Sequence, residues 1–231
     1  MGLALRRVGA RSGQAALALG LLLLAAPASA QSERLPWFVV DAHGAWVGLP
    51  TAQGWVPTVS ATTPLPGRGW GLSGGATVYP IKLGVATVGL GASFTTGKGT
   101  SSALTSTTGT GATSVTVPTT TTVSTQITSL LPQLSINFGH KAGWSYLSAG
   151  FGRSKVLSSS QAFGTSAAQI VPEAWNAALN FGGGARWFMK PHLGASFDLR
   201  FTKLGSRGET AILPSAKRTQ MITLGVGISI Q

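Results

Sequence analysis

Ionisable side chains recur in this sequence at a two-residue spacing. Asp41 stands two residues before His43, Asp198 two before Arg200, and Arg186 follows a run of glycines in GGGARWF. Residues two apart on an extended strand share one face, so each pair projects in one direction. An acid beside an imidazole can orient a general base, and a neighbouring nucleophile would complete a relay. The relay has no clear third member. Cysteine is absent, His140 and His192 fall in turns, and no one serine stands out among the many on the same face. The catalytic set is therefore none. The expectation is a hydrogen-bonded polar network of Asp41, His43, Arg186, Asp198 and Arg200, with Asp41 and His43 in hydrogen-bond reach. No metal-ligand spacing or phosphate-binding loop occurs; GLG and GGG here are strand glycines that leave room inside a narrow structure, so no metal or cofactor is expected.

What positions these residues begins with export. The chain opens MGLALRRVGARSGQAALALGLLLLAAPASA, with Arg6, Arg7 and Arg11 ahead of an apolar run and Ala28-Ser29-Ala30 at its end. That is the pattern of a secretory signal over residues 1–30, too short an apolar run to span a bilayer as a helix. Residues 31–231 then form one domain. Of the 17 basic residues three leave with the signal, so 14 face 5 acidic ones. Charged residues make up only 10% of the chain, against about 25% in a typical soluble domain. An exported chain so poor in charge, and rich in Gly, Thr, Ser and Trp, fits an outer membrane.

Eight segments alternate with a period of two: 37–48, 70–79, 86–95, 132–138, 145–152, 175–188, 193–202 and 219–231. No helical stripe of useful length lies outside the signal. Connections alternate too. Short ones fall at PIKLG (80–84), GHKAG (139–143) and MKPH (189–192), and long ones cover about 49–69, 96–123, 154–174 and 203–218. The second long connection is Ser/Thr/Gly-rich and is expected to be mobile. Short turns at one end and long loops at the other define an all-β, eight-stranded, antiparallel up-and-down transmembrane barrel. Its charged face, with Gln133, Asn137 and Asn180 added, should fill the lumen, because Arg or Lys facing lipid costs ~2–4 kcal/mol at midplane. Aromatic residues cluster at strand ends, Trp37, Tyr79, Trp144, Tyr146 and Trp187 at one end and Trp46, Trp70 and Trp175 at the other, as interfacial belts would.

Signal, eight strands, three tight turns and four longer loops resemble the small outer-membrane β-barrels of the outer-membrane protein A and X type. The C-terminal strand TLGVGISIQ adds a closer match. Thr223, Gly225, Ile228 and Ile230 fall where that family carries its insertion signal, which implies recognition by the barrel-assembly machinery. The family usually closes on an aromatic residue, whereas this chain ends Ile230-Gln231.

The functional expectation is an integral outer-membrane barrel of a Gram-negative envelope, monomeric, with a structural, anchoring or surface-interaction role and no enzymatic activity. A porin-like small-solute channel and a lipid-A-modifying enzyme are the alternatives. Eight basic residues, Lys98, Lys203 and Arg207 together with Arg68, Arg153, Lys155, Lys217 and Arg218, belong to the long-loop end. The last five are the expected rim for lipopolysaccharide phosphates. Nucleic acid is excluded as a partner, because the chain is exported and its basic sites are dispersed.

Overall fold

Alternating apolar and small or polar residues make a strand with one greasy face, and a sheet of such strands must hide one face and close its edges. The computed structural model describes residues 35–52, 54–56, 63–108, 116–163, 168–171, 173–209 and 215–231. The signal assigned to residues 1–30 lies outside these. Nine strands form among the described residues: β1 (Phe38–Gly48), β2 (Arg68–Leu83), β3 (Ala86–Thr108), β4 (Thr116–His140), β5 (Gly143–Ala162), β6 (Gln169–Val171), β7 (Trp175–Lys190), β8 (Leu193–Leu204) and β9 (Thr219–Ile230). All but the short β6 belong to the wall. Neighbours pair antiparallel, and β1 pairs with β9 from Val40↔Ile230 to Val47↔Thr223, which closes the barrel. Closure removes every edge within the wall.

The period of two sorts the side chains cleanly. Outward residues stay bare: Leu72 is 63% exposed, Leu134 56% and Phe151 66%. Inward ones vanish, with Asn137 1% exposed and Arg186 2%. Monomeric soluble proteins rarely expose a continuous apolar wall of this extent. No helix among the described residues is long and apolar enough to cross a membrane, and the crossing is made by strands.

Two connections expected as loops are strand. The Ser/Thr/Gly-rich stretch is not a mobile loop over its described residues, because β3 and β4 run as one ladder up to Thr108↔Thr116. β5 likewise continues to Ala162, where β6 pairs with it. The physical reason lies in the residue types. Threonine and valine favour extended backbone, and hydroxyls pair across strands in register: Ser102 with Thr122 at 2.9 Å, Thr125 with Ser158 at 2.8 Å, and Ser154 donating to Ser129 at 2.7 Å. With β3 and β4 at 23 and 25 residues and only about 9–11 needed to cross, the β3–β5 wall rises well beyond the membrane at the long-loop end.

Candidate functional site

The lumen is packed in layers. Nearest the short turns, Val39, Tyr79 and Trp144 are buried together with Phe188 against them. Trp144 stacks on Phe188 with ring centroids 5.1 Å apart and meets Tyr79 edge-on at 5.9 Å. This corrects the aromatic belt: Tyr79, Trp144 and Tyr146 point into the barrel. Their odd or even positions on β2 and β5 already place them on the inward face, and alternation prevails over proximity to a strand end. Among the described residues the bare tryptophans are Trp37 and Trp187 at the short-turn end, and Trp70 and Trp175 at the long-loop end.

The next layer holds the charges. Arg186, on β7, reaches across the lumen to Asp41 on β1, with Nε donating to Oδ1 at 2.9 Å and Nη2 to Oδ2 at 2.6 Å. Ser229 on β9 donates to the same carboxylate at 2.5 Å, and the guanidinium lies 4.1 Å from the centroid of the Tyr146 ring. Arg200 pairs with Asp198 through Nε and donates from Nη1 to Gln133 Oε1 at 2.6 Å. Tyr146 donates to Asp198 Oδ1 at 2.6 Å. That reach requires Gly184, which stands in register between Tyr146 and Asp198, where a Cβ would lie 2.8 Å from the tyrosine oxygen. Each buried carboxylate therefore has its own arginine, and the layer is neutral.

His43 takes a partner other than the one expected. Its Nε2 shares a 2.9 Å hydrogen bond with Ser196 Oγ, while Asp41 is engaged by Arg186. A serine beside an imidazole is the beginning of a nucleophilic relay. Here no carboxylate hydrogen-bonds the other imidazole nitrogen among the described residues. His43 and Ser196 are both buried. The space beside His43, bordered by Ser73, Gln133 and Arg200, has a volume of about 10 Å³, room for about one water. Ser73 Oγ has no hydrogen-bond partner among the described residues. Among the described residues no three His, Asp or Glu side chains gather as a metal site would need.

Above the charges the lumen turns apolar. Val47, Ile127, Leu131, Val156, Ala178 and Leu204 fill it, and Trp55 closes it from the connection after β1. Trp55 is 1% exposed; its indole donates to Lys217 O at 2.7 Å. Arg207 lies 5.2 Å over that ring and donates to Gly54 O at 2.8 Å. Partial desolvation there lowers the guanidinium's pKa from its ordinary value. Arg207 is thus turned into the mouth and is not a free rim cation. Sequence reasoning missed this apolar plug, along with Tyr146, Ser196 and Ser229 as network members. Strand parity marks the last three as inward, but no local signal marks Trp55.

Of the remaining basic residues, Arg68, Arg153, Lys155, Lys217 and Arg218 all sit at the long-loop end, none of them fully buried. They are spread around the circumference on β2, on β5 and just before β9. Lys155 pairs with Glu173 at 2.7 Å and lies 5.7 Å over the Trp175 ring. On β9, Thr223 faces the lumen while Ile228 and Ile230 face out. Gly225 leaves space for His43, whose Cβ would stand 3.2 Å from an added methyl group. Gln231 is tied to the β7–β8 turn, its side chain donating to Pro191 O at 2.7 Å.

A closed antiparallel barrel of eight strands, bare and apolar outside and filled with paired polar groups inside, defines a transmembrane β-barrel of the outer-membrane type. Solved structures similar to this chain are of outer-membrane proteins. Neisserial surface protein A is 13% identical over 86% of this chain and 99% of its own, with a TM-score of 0.43. The outer membrane protease OmpT from Escherichia coli is 6% identical over 87% and 99%, with a TM-score of 0.49. Ail, the attachment invasion locus protein of Yersinia pestis, is 11% identical over 83% and 95%, with a TM-score of 0.38. No protein-family model matches the sequence, and no curated protein matches it. At these identities no residue role passes from one chain to another.

Proposed function

We propose that this protein is a monomeric, non-conducting outer-membrane barrel that anchors a raised β-sheet and loops at the cell surface, and that its basic rim contacts lipopolysaccharide. The observation that carries the reading is the doubly sealed lumen, blocked once by the Arg186–Asp41 and Arg200–Asp198 layer and again by the apolar plug under Trp55. A solute path would have to break buried ion pairs and unpack an apolar layer. Planar-bilayer recording of the purified protein is expected to give no large, steady single-channel steps. Such steps would return the small-solute channel to first place.

The non-enzymatic reading has its own support. One neighbour is named a protease, but here the Ser–His contact lies in a closed interior with space for about one water. A substrate cannot approach Ser196. The C-terminal strand, with Thr223, Gly225, Ile228 and Ile230, is the segment that barrel-assembly machinery would read by pairing with an exposed strand.

For the rim, the support is charge. Among the described residues outside the lumen, Glu173 and Glu209 are the only acidic side chains, so the basic residues of the long-loop end lack enough counter-charges. Phosphate oxygens would supply them through charge-assisted hydrogen bonds. Neutralising Arg153, Lys155, Lys217 and Arg218 together is expected to lower the melting temperature in lipopolysaccharide-containing micelles. At about 1 kcal/mol per basic residue near an anionic surface the drop is on the order of 10 °C. In neutral detergent the variant should melt with the parent protein. Equal losses in both would refute the rim.

A further inference from the structure

Proline has no N–H to give to a ladder, so within a sheet it interrupts pairing. Pro132 does so in the middle of β4. The register with β5 runs to Leu130↔Arg153, breaks, and resumes at Gln133↔Gly150. On the lipid side Ala92 stands opposite Pro132 on β3, the backbone of Gly152 borders the break on β5, and the outward Phe151 stands beside it. Taller neighbours rise around this low floor, Leu130 on one side and Trp175 on another. The result is an open groove of about 510 Å³ in the outer wall, lined by Ala92, Leu130, Pro132, Gly152, Arg153 and Trp175.

The groove ends at a cation. Arg153 points outward at the long-loop end, in register with Ala177 of β7 and two residue pairs from Lys155↔Trp175. The barrel's two internal arginines are each matched to an aspartate, and Lys155 has Glu173. Arg153 has no hydrogen-bond or ion-pair partner among the described residues. An unmatched guanidinium beside a membrane-facing apolar channel, at the height of a girdle tryptophan, calls for an anion attached to an alkyl chain. Long loops face outside the cell, so the anion belongs to the outer leaflet.

We propose that this groove is a site for one lipopolysaccharide molecule, with a fatty acyl chain of its lipid A lying over Ala92 and Pro132 against Leu130 and Trp175, and a lipid A phosphate accepting hydrogen bonds from Arg153. This rests on the rim reading above and deepens it, from a diffuse ring of charge to a single seat. The planar fork of arginine suits a phosphate in two-point contact. The interruption of the β4–β5 ladder beside Pro132 gives the chain a recess.

The test is native mass spectrometry of the detergent-purified full-length protein with added lipid A, with phosphatidylglycerol as a second arm. A retained one-to-one lipid A adduct is expected for the parent chain, with little or none for phosphatidylglycerol. Ala92→Leu fills the floor of the groove from the outside, and Arg153→Gln removes the cation. Each should weaken retention about tenfold, the loss of one charge-assisted contact or of a fitted chain. Lys141→Gln, exposed in the β4–β5 turn at the opposite end of the barrel, should retain the adduct. Band shift on an unheated gel checks that each variant is folded. Should Ala92→Leu not fold, Arg153→Gln carries the test alone. A parent chain without an adduct, equal retention of phosphatidylglycerol, or full retention in both groove variants overturns the site. If the groove variants keep the lipid while the four-residue rim variant loses its lipopolysaccharide-dependent stability, the rim stands and the groove falls. If the groove variants lose the lipid while a variant neutralised only at Lys217 and Arg218 melts like the parent in lipopolysaccharide, the groove stands and the diffuse rim falls.

Discussion

Replacing Arg186 with methionine is expected to lower the unfolding free energy of the folded barrel by about 3–5 kcal/mol, the cost of leaving one member of a buried ion pair uncompensated. Asp41 would keep only the hydrogen bond from Ser229, and Tyr146 would lose the guanidinium over its ring. The measurement is urea unfolding in lipid vesicles, read by tryptophan fluorescence and by the gel shift between folded and unfolded bands. The paired change Asp41→Asn with Arg186→Met should recover most of the loss, because both charges then leave the interior together. The unrecovered part, about 1 kcal/mol, is the cation–π contact. Salt should barely alter the single variant, since the pair is shielded from the solvent ions that screen surface charges. A loss under about 1 kcal/mol would mean that water reaches the layer, and the sealed-lumen reading would go with it.

Trp55→Ala is the second large effect, and a local one. The indole fills the top of the apolar plug and ties it to Lys217. Truncating a buried tryptophan costs about 3–5 kcal/mol. The connecting segments can open without the wall, so the loss should appear first as local opening. Limited proteolysis between Leu49 and Arg68 is expected to speed up about a hundredfold, as a loss near 3 kcal/mol implies. Conductance should stay at background, because the Arg186–Asp41 and Arg200–Asp198 layer remains beneath. Unchanged cleavage would show that the plug does not hold the mouth. A steady open channel would show that Trp55, not the charges, makes the seal.

These two residues mark how far local pattern reaches. Arg186 and Asp41 are both legible as inward-facing from strand parity alone, yet nothing local joins them across 145 positions. His43 illustrates the opposite error. Its two-residue spacing from Asp41 favoured a contact between them, but the barrel's curvature brings Ser196 to its Nε2 and gives Asp41 to Arg186. For Tyr146, parity pointed inward while nearness to a strand end pointed to the interface, and parity prevailed. The raised β3–β4 ladder was hidden because low-complexity Ser/Thr sequence lacks the apolar alternation by which strands are recognised. Its hydroxyl pairs form only once the partner strand is in register.

Sequence alone determined the number of wall strands, their antiparallel order, the side of each strand that meets lipid and the side that meets the lumen. It could do so because a two-residue period is a local property of extended backbone, and a bilayer forces the greasy side out. Tertiary structure decided which arginine answers which aspartate, where the lumen turns from polar to apolar, that Trp55 closes it, and that Pro132 leaves a groove beside Arg153. Those outcomes depend on the stagger and curvature of the closed sheet, which set distances between residues far apart in the chain and leave no trace in any single segment.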